Sequence, residues 1–169
     1  LGDGNDVVDV AGMLDTRGGS LSLGAGDDSF IVEDASQIVG LVDGGAGNDT
    51  LVTDIATQAR LGSAENFEGL LKTGAGVLDI DGPAASDFGV VNVQGGTLQV
   101  AAAATLLGVG ELTVAAGTTL QLDGGVVGTN GSDIADIGGR VTGNGRLDLG
   151  DGDDRLLLHD AADTHGLAT

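Results

Sequence analysis

Four short acidic segments hold the side chains with the most chemical potential in this sequence. Gly44-Gly45-Ala46-Gly47-Asn48-Asp49-Thr50-Leu51-Val52 follows the pattern G-G-x-G-x-D-x-U-x, where U is a large aliphatic residue. Residues 1–8, 23–30 and 149–156 keep the pattern, except that leucine replaces the first glycine. Each segment places an aspartate at the same point: Asp6, Asp28, Asp49 and Asp154. The pairs Asp27-Asp28 and Asp153-Asp154 are carboxylate pairs of the kind that can serve glycoside hydrolysis. His159 and His165 flank two aspartates near the end, which reads either as a weak divalent-metal cluster or as a polar edge. Ser86-Asp87 has no histidine near it in sequence. No G-x-S-x-G, H-E-x-x-H or cysteine nucleophile is present, and a sugar groove would want aromatic side chains that this chain lacks. The expectation is a chain without catalytic residues.

What must position these turns is a strand framework. Short alternating runs recur, such as Val77-Leu78-Asp79-Ile80, Val90-Val91-Asn92-Val93, Thr97-Leu98-Gln99-Val100, Glu111-Leu112-Thr113-Val114 and Thr119-Leu120-Gln121-Leu122. Each puts aliphatics on one face and polar residues on the other, and glycine turns bracket them. Helical signal is weak: residues 55–64 and 101–107 could make a turn or two, too short to stand alone. The strands return with a period. Leu78 to Leu98 is 20 residues, Val91 to Leu112 is 21 and Leu98 to Leu120 is 22. The acidic turns share it: their second glycines fall at 2, 24, 45 and 150, gaps of 22, 21 and 5 × 21. This predicts an all-β right-handed parallel β-helix, a solenoid with about 21 residues per coil. The chain would hold about eight coils in a rod roughly 40 Å long, from the spacing of stacked strands. The 27-residue interval from Leu120 to Leu147 reads as a coil with an inserted loop. A β-sandwich is the competing fold, but it predicts more aromatics and no fixed return.

Composition narrows function. There are 169 residues with 33 glycines, 26 acidic against 6 basic side chains and a formal net charge of −20. That charge repels phosphate backbones, so nucleic acid is excluded as a partner. Hydrophobic content of 41% argues against disorder, and no apolar run is long enough to span a bilayer as a helix. Corners made with positive φ use glycine at little cost. A narrow interior leaves little room for bulky rings, in keeping with only three aromatics, Phe30, Phe67 and Phe88. With no initiating methionine and no signal-like start, the sequence reads as part of something longer.

Two resemblances follow from these residues. The acidic glycine turns resemble the calcium-binding repeat of RTX β-rolls. That resemblance implies Ca²⁺ bound through glycine-corner carbonyls and the aspartates Asp6, Asp28, Asp49 and Asp154. The RTX spacing is nine residues, however, and here it is 21. The other reading of the same turns is a glycine corner followed by a solvated aspartate. Asn66-Phe67-Glu68-Gly69-Leu70-Leu71-Lys72-Thr73-Gly74-Ala75-Gly76-Val77-Leu78-Asp79-Ile80 resembles the opening line of the passenger-associated transport repeat, also called the autotransporter-associated β-strand repeat. Residues 91–100 and 112–122 match its next lines, and Lys72 is the sole lysine. The resemblance implies a single β-helix fragment of a type V secreted passenger from a Gram-negative bacterium. Its parts would be acidic coils over 1–65, transport-repeat-like coils over 66–122 and further coils over 123–169. It also implies display at the cell surface and a C-terminal outer-membrane β-barrel as partner outside this sequence. The segment then reads as a structural stalk that supports export and presents other functions, with an adhesive surface for host surface or matrix molecules as the alternative. A third reading is the calcium-stabilised RTX-type β-roll of a type I secreted protein, which the 21-residue period and the Lys72 element oppose. The lack of cysteine suits export unfolded through a pore.

Overall fold

The computed structural model describes residues 1–164. The chain is all-β, with no helices among the described residues, and winds as a parallel β-solenoid of about 21 residues per turn. Every strand pair is parallel. Eight strands stack in one ladder, so about seven turns lie between its ends, one fewer than length alone suggests.

Each turn has three faces. The first carries the aliphatic ladder Ile38–Leu61–Ile80–Val100–Leu122, with Ala59–Leu78–Leu98–Leu120–Val141 beside it. The second carries Val8–Phe30–Leu51–Leu70–Val91–Leu112–Ala135–Leu156. The third runs Leu21–Val42–Ala64 in the early turns and Ser86–Leu106–Val126–Leu147 in the later ones. Early on, the first and third faces belong to single long strands, Met13–Ala25 and Gln37–Ala46, each bent by a register shift. Alternation with period two sends one residue in every pair inward, so stacking like residues on like residues fills a single continuous core.

The register shows which spacings were coil repeats. Leu78–Leu98, Leu98–Leu120 and Val91–Leu112 are true stacked partners. Leu120 to Leu147 is not a coil with a loop. Leu120 stacks on Val141 and Leu147 stacks on Val126, both 21 residues away, because the two leucines lie on different faces. The weak helical segments become corners and strands: Gln58–Glu65 is extended, and residues 101–104 form a tight turn closed by the Ala104 N–H on the Ala101 carbonyl (2.8 Å) before Thr105–Leu107. The interior does admit rings. Phe30, Phe67 and Phe88 are all buried, and Phe67 and Phe88 stack in successive turns with centroids 6.2 Å apart.

Candidate functional site

The acidic corners join the third face to the second. Gly24, Gly26, Gly45 and Gly47 have φ of 125°, 136°, 108° and 144°, a region that only glycine enters freely. The stacked corners are in register, Gly2 on Gly24 on Gly45. That approach brings the aspartates together in two hydrogen-bonded columns. In one, the Asp6 N–H donates to Asp28 Oδ1 (2.8 Å), the Asp28 N–H to Asp49 Oδ1 (2.8 Å) and the Asp49 N–H to Glu68 Oε2 (2.6 Å). In the neighbouring column the direction reverses: the Asp27 N–H donates back to Asn5 Oδ1 (2.9 Å) and the Asn48 N–H back to Asp27 Oδ1 (3.0 Å). The last corner repeats the first column, with the Asp133 N–H on Asp154 Oδ1 (3.0 Å).

These columns explain why the motif wants an aspartate after an Asn or Asp. At a corner the backbone N–H groups leave the strand ladder, and a short side-chain acceptor one turn away satisfies them. Asp28 and Asp49 are buried, not solvated; Asp6 and Asp154 are half-buried at the two ends of the rod. Burial raises the Asp49 carboxyl above its ordinary value, as do the charges of Asp28, Glu68 and Asp27, against the opposing hydrogen bond from the Asp28 N–H. Asp28 Oδ2 and Asp49 Oδ2 are buried without a hydrogen-bond partner.

Calcium takes six to eight oxygens. Among the described residues no three acidic or histidine side chains converge on a common point, and one oxygen of each buried aspartate is already committed to a backbone N–H. The side-chain oxygens alone fall short of that number, since of the buried aspartates only Asp28 Oδ2 and Asp49 Oδ2 lack a hydrogen-bond partner. Adding millimolar calcium, or a chelator, is expected to leave the melting midpoint unchanged.

Asp49 separates acceptor from charge. Asp49→Ala leaves the Asp28 N–H without its acceptor and is expected to cost about 1–3 kcal/mol. Asp49→Asn keeps the acceptor, removes the repulsion and is expected to be at least as stable as the parent near neutral pH. The sign of the pH effect follows from the raised folded-state value. The contribution of Asp49 is fully present below the unfolded carboxylate value and is lost as pH rises through the folded one. Denaturant midpoints across the acid range therefore fall with pH in the parent relative to Asp49→Asn; parallel curves would disprove the assignment.

Lys72 forms a second polar centre. It sits on the inward ladder of the second face, between Thr53 and Val93, and its side chain is fully buried. Its Nζ donates to the carbonyls of Thr73 (2.6 Å), Gly74 (3.1 Å) and Gly95 (3.1 Å), which line the corner leaving that face. Burial lowers its ammonium below the usual value, and the charge of Asp54 partly opposes this. The placement was available from the sequence: alternation from Leu70 puts Lys72 on the inward side.

Ser86 and His159, the other residues that the sequence singles out, lie at separate places in the fold. Ser86 is buried, and its Oγ accepts the Ala64 N–H (3.0 Å). His159 Nε2 lies 2.5 Å from Asp136 Oδ1 at the exposed end; His165 lies outside the described residues. An open trough of about 470 Å³ lies over the first face, lined by Ser36, Gln37, Thr57, Gln58, Arg60 and Asp79 among others. Arg60 there pairs with Asp81 and approaches Asp79 (3.7 Å). Sequence reading gave no sign of this trough, because its residues come from three successive turns. Comparison with known proteins finds no matching family, no similar curated protein and no similar solved structure.

Proposed function

We propose that this chain is a structural β-helix segment of an autotransporter-type passenger, exported to the surface of a Gram-negative cell through an outer-membrane β-barrel and presenting other functions there. The observation that supports it is the place of Lys72. The lysine of the transport-repeat-like line is the cation that ties a corner together from inside the solenoid, in the middle of the stack. A repeat with that role would give the emerging chain a strong early coil on which later coils stack, so that folding outside favours outward movement. The surface is strongly acidic and the few aromatics are buried, which favours a stalk over an adhesive face. No catalytic role is assigned to the chain.

The test is to fuse the chain ahead of an outer-membrane β-barrel and measure its surface exposure with external protease. Deleting residues 66–122 is expected to abolish exposure while the barrel still inserts. Normal export with lost adherence would make the segment a binding surface. Normal export and normal adherence would reduce it to a spacer and overturn the proposal.

A further inference from the structure

The corner over residues 128–133 departs from the acidic corners at one position. Gly128-Thr129-Asn130-Gly131-Ser132-Asp133 leads from Gly125–Val127 on the third face to Ile134–Ile137 on the second. It stacks against the acidic corner over residues 150–154. A Cβ at Gly150 would meet the Thr129 carbonyl oxygen at 2.1 Å, and one at Gly152 would meet the Gly131 carbonyl oxygen at 2.0 Å. Asp133 takes the place of the stacked aspartates, with its N–H on Asp154 Oδ1. Thr129 stands where the acidic corners hold Gly2, Gly24, Gly45 and Gly150. A hydroxyl therefore enters at a point where those corners have no side chain.

That hydroxyl completes a chain of hydrogen bonds. The Gly131 N–H donates to Thr129 Oγ1 (2.9 Å), and the Thr129 hydroxyl donates to Asp133 Oδ1 (2.6 Å). The Thr129 N–H holds the other carboxylate oxygen, Oδ2, at 2.6 Å. Asp133 is buried, at 2% exposure, and both its oxygens are held. The proton on the Gly131 nitrogen thus has a path through a hydroxyl to a carboxylate, each step within the reach that general-base assistance needs. Asn130 immediately precedes this nitrogen. It is exposed, as are Gly131 and Ser132, and its side chain makes no hydrogen bond among the described residues. Gly131 has no Cβ to screen its nitrogen from Asn130 Cγ.

An asparagine amide carbon and the nitrogen of the next residue can close a five-membered ring, and their proximity makes the reaction intramolecular. Asn-Gly occurs at 130–131 and at 144–145, and both asparagines are exposed. The two differ in where the glycine proton points. The Gly145 N–H donates to the Leu122 carbonyl (2.7 Å), which ties it into the stack and offers no base. The Gly131 N–H leads to a carboxylate.

We propose that Asn130 is a self-modification site, at which the chain converts the side-chain amide to a carboxylate through a cyclic imide. The Gly131 nitrogen attacks Asn130 Cγ and forms a C–N bond, while its proton passes through Thr129 Oγ1 to Asp133. The bond from Cγ to Nδ2 breaks, and that nitrogen takes up the proton and leaves as ammonia. Water then opens the imide at either carbonyl, giving aspartate or isoaspartate at position 130. The new carboxylate lies one coil from Asp151. The extra backbone atom of isoaspartate falls in an exposed corner outside the strand ladders, so the coil survives. The site is independent of the export role above.

Peptide mapping by mass spectrometry on the 169-residue chain, aged in warm and mildly alkaline buffer, tests it. In the folded chain Asn130 is expected to convert faster than Asn144 by about tenfold or more, and in urea the two are expected to convert at similar rates. Folding is expected to leave the Asn130 rate at or above its value in urea. Thr129→Val keeps the shape and removes the relay, and is expected to slow Asn130 by about tenfold or more, while Thr129→Ser restores the rate. Circular dichroism melting checks that both variants keep the fold, and the comparison with urea needs no variant. Slower conversion of Asn130 in the folded chain than in urea would overturn the proposal. So would a Thr129→Val chain that converts as fast as the parent or faster.

Discussion

Gly45→Ala is expected to collapse the early turns. A Cβ at this position would lie 2.0 Å from the Gly24 carbonyl oxygen, far inside any tolerated contact, and the backbone atom it meets cannot swing away. The residue also holds φ of 108°, which an L side chain rarely adopts. Relief requires prising two coils apart, which breaks the Asp28–Asp49 hydrogen bond and the strand pairs on either side of the corner. The cost is expected at about 4 kcal/mol or more, in the range reserved for severe core lesions. Gly117→Ala is the control. Its φ is 82°, but nothing lies within 4 Å of the added Cβ, so it isolates backbone strain, at about 1–2 kcal/mol. Urea unfolding of both variants, with hydrogen exchange to locate the loss, checks the contrast. Equal costs would mean that coil spacing is softer than the stacked corners imply.

Lys72→Ala carries the second largest effect. It empties a fully buried site the length of a lysine side chain and removes the donor from the carbonyls of Thr73, Gly74 and Gly95. Truncating a long buried side chain costs about 2–5 kcal/mol, and orphaned carbonyls add to that. Lys72→Met refills the space without the donor. It also removes a buried charge whose desolvation the parent bears, so the net loss is expected to be about 2 kcal/mol. The alkaline limb distinguishes the parent from both variants. Because the folded-state value of Lys72 is lowered, the folded state gives up its proton first. Stability then rises with pH between that value and the ordinary lysine value of 10.5. Both variants lose this rise. A parent without it would show that the ammonium is not desolvated as its burial requires.

Legibility of the sequence differed from one feature to the next. Leu78, Leu98 and Leu120 announced their own stacking, because parallel coils return like residues at a nearly constant separation and the two-residue alternation around each leucine marks it as strand. Leu120 and Leu147 misled, since spacing does not say which of three faces a residue occupies. The aspartates were legible as a column and not as to their contacts. Spacing of 21 residues puts Asp28 over Asp49, but a carboxylate over a carboxylate can bind a cation, face water or accept an N–H from the turn beside it. Only the close approach of the glycine corners, which swings the Asp28 N–H onto Asp49 Oδ1, adds that hydrogen bond. Lys72 was flagged by its rarity, and its direction followed from alternation. Its three carbonyl partners come from two turns and could not have been counted in advance.

By itself the sequence determined the class, the period and the parallel stacking. Two-residue alternation, glycine at the corners and a 21-residue return are local properties repeated until only one architecture satisfies them all. The tertiary structure decided what the polar groups do. Whether a carboxylate or an ammonium is solvated, paired or enclosed depends on atoms a whole turn away, and that distance is set by how closely the coils pack.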